Sequence, residues 1–140
     1  MINGDILNKL KIVAQQSNHR QFKIAASIIY KNSIISIAHN VMKTHTFQKK
    51  YGKNQDAIYF HAETHAIYKA LQQGFDQFHK STLAIVRVKW DSTDRNSIIY
   101  GLANPCDGCI RCIYDFKIKK VIYTLDEIVG CKSHFGIIEL

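Results

Sequence analysis

The chain has 140 residues, 46% of them hydrophobic, which suits one ordinary domain with a buried core, and a single domain over 1–140 is expected. One proline and 7 scattered glycines leave no linker, repeat or low-complexity tail, and no apolar run reaches the length that a membrane crossing needs. The 19 Lys+Arg against 11 Asp+Glu give a net charge of +8, which favours phosphates or polynucleotides as partners, although an ordinary basic surface satisfies it equally.

The opening MINGDILNKLKIVAQQ breaks its apolar residues with Asn, Asp and Lys, so it carries no signal-peptide pattern. The expected compartment is therefore the cytoplasm, where cysteines serve as metal ligands or free thiols rather than disulfides. Ile6, Leu7, Leu10, Val13 and Ala14 recur at helical spacing behind Asn3 and Asp5, either of which can cap a helix over about 4–16. FKIAASIIY (22–30) and SIISIAHN (33–40) are rich in β-branched residues and are split by Lys31-Asn32, which predicts a hairpin with a two-residue turn.

A polar, basic stretch from about 39 to 56 predicts no element. HAETHAIYKALQQ (61–73) then predicts a helix that Gly74 ends. TLAIVRVKW (82–90) predicts a strand, DSTDRN (91–96) a turn, and SIIYGLA (97–103) a second extended piece leading to Pro105. A further helix is expected from Asp107 to about Lys117, then a strand at KKVIYT (119–124) and a short edge strand in the last fourteen or so residues. Strands alternating with helices indicate a layered α/β domain.

Pro105-Cys106-x-x-Cys109 carries the most information. With a single Pro and 4 Cys in the chain, chance produces that spacing on the order of once in 1,600. His61-Ala62-Glu63 is weaker alone, since His-x-Glu arises by chance in about 15% of such compositions. Both motifs fall at predicted helix starts, behind extended segments, where α/β domains build ligand sites. Two thiolates and an imidazole suit zinc and leave its fourth position for water, the arrangement of a catalytic centre. Cysteines at a helix N-terminus also feel its partial positive charge, which favours the thiolate. Glu63 lies two residues from His61 and cannot share a regular helical face with it. Both reach one site only if His61 stands at the helix start, before regular geometry begins.

These motifs resemble the signature of the cytidine and deoxycytidylate deaminase superfamily, His-x-Glu with Pro-Cys-x-x-Cys, over residues 22–124 in the order hairpin, HAE helix, strand, PCxxC helix, strand. The resemblance implies a three-layer α/β/α fold around a central mixed sheet of about five strands, with zinc held by His61, Cys106 and Cys109. It also implies hydrolytic deamination of cytosine to uracil, hydroxide attacking C4 while Glu63 protonates N3 and then the departing ammonia. Asn40 would hold the sugar, and the backbone N–H of Ala62 the base carbonyl. The segment Asn40-x-x-Lys43-Thr44-His45 is similar to compact phage and bacterial deaminases of the CMP/dCMP type. The implied partner is a free pyrimidine nucleotide or nucleoside such as dCMP, acted on by a homo-oligomer. Asn104, before Pro105, departs from the usual pattern and leaves the substrate open.

Other readings stand beside this one. His65 could close a Cys2His2 site with no catalysis, giving a zinc-stabilised binding module. Cys112 extends the spacing towards an iron–sulfur pattern, although Cys131 is far off; a small residue packed under the site is the simpler reading. Lys43, Lys49, Lys50 and Lys53, interleaved with Phe47 and Tyr51, could hold a phosphate or stack single-stranded nucleic acid, which would make the enzyme a polynucleotide cytosine deaminase; otherwise they form a solvated loop with its aromatics folded inward. His19, His39, His79 and His134 read as surface residues.

Overall fold

The computed structural model describes residues 2–19, 21–43, 45–51, 59–91, 97–127 and 135–140. Asn3 starts α1 (Gly4–Gln15), its Oδ1 accepting the Ile6 N–H at 2.9 Å, so of the two candidate caps it is Asn3 that acts. β1 (Lys23–Tyr30) and β2 (Ser33–His39) pair antiparallel through Lys31 and Asn32, whose φ values of 51° and 62° are those of a hairpin turn matched to strand twist.

α2 (Thr46–Lys49) is a one-turn helix inside the stretch for which no element was expected. α3 (Ala62–Gln72) ends in a Schellman motif: Gly74, at φ 81°, donates to Leu71 O and Phe75 donates to Ala70 O. β3 (Thr82–Trp90) and β4 (Ile98–Gly101) pair antiparallel, α4 (Asp107–Asp115) follows Pro105, and β5 (Lys120–Thr124) returns parallel to β3. β6 (Phe135–Glu139) is the expected edge strand, antiparallel to β5. Most of the anticipated DSTDRN turn, with Cys131, His134, Lys53, Thr44 and Arg20, lies outside the described residues.

The sheet runs β2-β1-β3-β5-β6, and β4 pairs with the far half of β3, in line with β5. This mixed sheet therefore has six strands, the five of the main path and β4. Period-two alternation divides its core. Ala25, Ala84, Val86 and Val88 meet Ile6, Leu10 and Ala14 of α1 on one face. On the other, Ala26, Ile28, Leu83, Ile85 and Val121 meet Ala66, Ile67 and Ala70 of α3 and Cys112 and Ile113 of α4. That is the three-layer α/β/α arrangement. Among the described residues no helix is long and apolar enough to cross a membrane.

Candidate metal centre and base pocket

The site forms where the first turns of α3 and α4 meet. His61 is the N-cap of α3 and Cys106 the N-cap of α4; both have extended backbones, and neither uses its side chain to cap its helix. Those side chains are turned instead towards each other. His61 Nδ1 lies 3.6 Å from Cys106 Sγ and 3.3 Å from Cys109 Sγ. All three donor atoms fall within 4.8 Å of one another. Around a tetrahedral zinc, Zn–N and Zn–S bonds of the usual length put nitrogen and sulfur about 3.6 Å apart. Donor chemistry and spacing both fit zinc.

Backbone anchors bring the cysteines to this point from far along the chain. Buried Thr124 accepts the Arg87 N–H at 3.1 Å and donates to Gly101 O at 2.7 Å, and Ala103 donates to Thr124 O at 2.9 Å. These bonds tie β3, β4 and β5 together just before Pro105, which disfavours a helical Asn104, and α4 begins at Asp107 behind its N-cap Cys106. On the other side, Ser36 of β2 donates to Ala66 O at 2.7 Å and pins α3 to the sheet.

The thiols are unequal. A hydrogen bond from Cys109 pulls the Cys106 pKa down to about 3, against the desolvation of burial. The same bond, with burial, pushes the Cys109 thiol well up. Glu63, in the first turn of α3 and only 5% exposed, has its carboxyl pKa raised by burial, with the His61 ring as the largest opposing influence. His61 at the helix start and Glu63 two residues on thus meet the geometric condition set by their spacing.

Five of the residues singled out in the sequence, Asn40, His61, Ala62, Glu63 and Cys106, line one cavity of about 130 Å³, and Cys109 is buried beside them. Ala62 is the first residue of α3, so its N–H is one that the helix leaves without an acceptor of its own. Asn40 is committed in part: its Nδ2 donates to Phe22 O and its Oδ1 accepts the Ile24 N–H at 3.1 Å, which among the described residues leaves one N–H and one lone pair of the amide.

The same wall contains residues that the sequence reading gave no role: Phe22, Tyr59 and, as more than a departure from pattern, Asn104. Tyr59 stacks on His61 with ring centres 4.8 Å apart. Its spacing of two from His61 along an extended segment is the signal that could have found it.

Several alternatives fall away. His65 Nδ1 lies 3.1 Å from His39 O and its ring stacks on Phe60, so it is no part of the metal cluster. Cys112 is fully buried in the α3 and α4 core, where burial raises its thiol pKa. Phe47 and Tyr51 pack against that core rather than offering a stacking platform, while Lys43, Lys49 and Lys50 are exposed and do not line the cavity. His19 and His39 are not plain surface residues. His19 accepts the N–H groups of Gln21 and Phe22 and packs edge-on against Phe22 and Tyr59, and the His39 ring meets Asn40 O at 2.9 Å. His79 is exposed, as expected.

A family model described as the cytidine and deoxycytidylate deaminase zinc-binding region matches residues 4–125. Two solved structures share the fold. A cytidine deaminase from Burkholderia pseudomallei is 15% identical, with 99% of this chain and 93% of that one covered at a TM-score of 0.63. A dCMP deaminase from the cyanophage S-TIM5 is 21% identical, with 84% and 77% covered at 0.56. No curated protein matches the sequence. The chain belongs to the cytidine and deoxycytidylate deaminase family and carries its zinc-binding region.

Proposed function

We propose that this family member hydrolyses a cytosine base to uracil and ammonia on a free pyrimidine nucleotide of the dCMP kind, His61, Cys106 and Cys109 holding zinc and Glu63 moving the protons. The observation that carries the reading is the joint placement of the buried Glu63 carboxyl and the His61/Cys106/Cys109 cluster at one small cavity. Zinc, when bound, supplies a Lewis acid that lowers the pKa of water to ~7.

The chain's own residues account for the rest. Burial lets Glu63 keep a proton at a higher pH than an ordinary carboxyl, the property a general acid needs in order to protonate ring N3 and then the leaving amine. Ala62 N–H offers a donor to the base carbonyl, and the uncommitted N–H of Asn40 one to the sugar. A cavity of about 130 Å³ suits a base, so the sugar and phosphate lie towards solvent. Exposed Lys43, Lys49 and Lys50 in the segment after Asn40 favour a phosphate-bearing substrate.

A second reading rests on a larger cavity of about 470 Å³, which shares Phe22 with the base pocket and is lined by Lys23, Arg87 and Trp90 among others. Aromatic and cationic walls of this kind suit a neighbouring nucleotide of a single strand. Ammonia release from dCMP, CMP, cytidine, deoxycytidine and a cytosine-containing single strand, on protein whose zinc is measured first, separates the readings. Preference for dCMP supports the first and preference for the strand the second; equal turnover of cytidine and CMP counts against a phosphate role. The same reading takes the working form as a cytoplasmic homo-oligomer, which light scattering tests for its copy number.

A further inference from the structure

His61 has a difficulty built into its position. The N-cap of a helix ordinarily uses its side chain to satisfy a first-turn amide, and in a capping box a residue three places on accepts the N-cap's own N–H. His61 makes no such cap bond because its ring is turned to the cysteines. The residue three places on is Thr64, in place of the Glu or Gln of a capping box, and the His61 N–H goes to Gln48 rather than to its hydroxyl.

The missing acceptor comes from outside the helix. Gln48 of α2 is fully buried, and its Oε1 accepts the His61 N–H at 3.0 Å and also the Thr64 hydroxyl. The Thr64 hydroxyl also lies 3.1 Å from His61 O, so its one proton is shared between that carbonyl and Gln48 Oε1, while Gln48 alone takes the His61 N–H. Gln48 Nε2, by contrast, is buried without a partner among the described residues. A buried orphan donor is destabilising. The side chain is therefore a poor choice for stability alone, and its oxygen is the part that is used.

Gln48 is itself fixed from several directions. The His45 ring accepts the Phe47 N–H at 3.1 Å and stacks on Phe60 at 4.5 Å, and Phe60 pairs with Val41 across an isolated bridge. Phe47 packs against Phe116, just past α4, and the Tyr51 hydroxyl donates to Asp115 Oδ2 at 3.0 Å. α2 thus grips the start of α3 and the end of α4, the two helices that carry the ligands.

From this geometry we infer that Gln48 is a positioning residue, whose amide oxygen replaces the capping group that His61 gives up and so aims the imidazole at Cys106 and Cys109. The inference rests on the zinc reading of the site. Groups that orient metal ligands from behind typically alter metal affinity by 10–100-fold.

The test uses the full chain and three variants, reading zinc affinity by chelator competition, the visible bands of the cobalt-loaded protein, and thermal melts. Gln48→Met keeps the length and removes the oxygen; it is expected to melt cooperatively, bind zinc 10–100-fold more weakly and shift the cobalt bands. Gln48→Glu keeps an acceptor oxygen and is expected to restore the parent cobalt bands, a rescue that remains readable if the Met variant does not fold. Phe47→Leu loosens the same segment without touching His61, and is expected to lower the melting temperature while leaving zinc affinity unchanged. Parent-like zinc affinity and cobalt bands in Gln48→Met, altered bands in Gln48→Glu, or an equal zinc loss in Phe47→Leu each overturn the inference. A parent chain that binds neither ion overturns the zinc reading itself and this inference with it, an outcome visible before any variant is made.

Discussion

Glu63→Gln separates the chemistry from the fold because it keeps the shape of the side chain and removes its proton. Acid–base groups of this kind contribute about 10²–10⁴-fold to rate. At 1.36 kcal/mol per tenfold, the variant should lose about 3–5 kcal/mol of transition-state stabilisation. Stability should move the other way in metal-free protein. The Glu63 pKa is raised by burial, so the folded chain binds that proton more tightly than the unfolded one. Ionised Glu63 therefore weakens folding above the unfolded carboxyl value, and the penalty disappears as pH falls below it. A neutral amide carries no such penalty. Metal-free Glu63→Gln should melt above the metal-free parent at pH 7, and the gap should close as pH falls through the ordinary carboxylate range. Ammonia release gives kcat, elemental analysis gives zinc, and urea melts at two pH values give the stability difference. Turnover within tenfold of the parent at full zinc content would refute the proton-carrier role; a metal-free variant that melts below the parent at pH 7 would refute the burial argument.

Cys106→Ser and Cys109→Ser should each abolish zinc retention and the zinc-dependent rise in melting temperature, which is worth about 4 kcal/mol when free zinc exceeds its Kd a thousandfold; melts with and without chelator read this directly. Leu10→Ala empties a fully buried position of α1 on the face of the sheet away from the metal, and should cost about 2–5 kcal/mol in urea unfolding with zinc content unchanged. Burial lowers the His65 pKa from 6.5, against the His39 carbonyl, so the folded chain keeps it neutral. Its contribution to stability is complete above that unfolded value and is lost as pH falls through the lower folded one. His65→Gln should accordingly flatten the fall in melting temperature below neutral pH, measured against the parent in metal-free protein.

Much of the fold was legible in the chain because its signals are local. Helical spacing from Ile6 to Ala14, β-branched runs on either side of Lys31-Asn32, and a glycine at the end of α3 each act over a few residues. The His61/Cys106/Cys109 cluster was legible for a similar reason: zinc restricts the residue types that suit it, and Pro-Cys-x-x-Cys puts two thiols within one turn, so the only long-range step was to join them to His61. The uncommitted ends of Asn40 and Ala62, and their place beside Glu63, needed coordinates to be seen.

What the chain determines by itself is thus the longer helices and strands and the residue types that suit a metal, since periodicity and metal preference depend on near neighbours and on chemistry. Tertiary structure alone decides which polar groups are satisfied by distant parts of the chain. No periodicity marks α2, and a glutamine followed by two lysines reads as solvent-exposed, yet Gln48 is buried against an amide 13 residues away. Phe47 and Tyr51 alternate with basic residues like a stacking platform, and only the presence of Phe116 and Asp115 opposite them turns them inward. His65 has the same ring as His61 four residues earlier, but a carbonyl of β2 and the Phe60 ring claim it first. Burial and hydrogen bonding are settled by whatever the fold brings alongside a group, and that information is spread over the whole sequence.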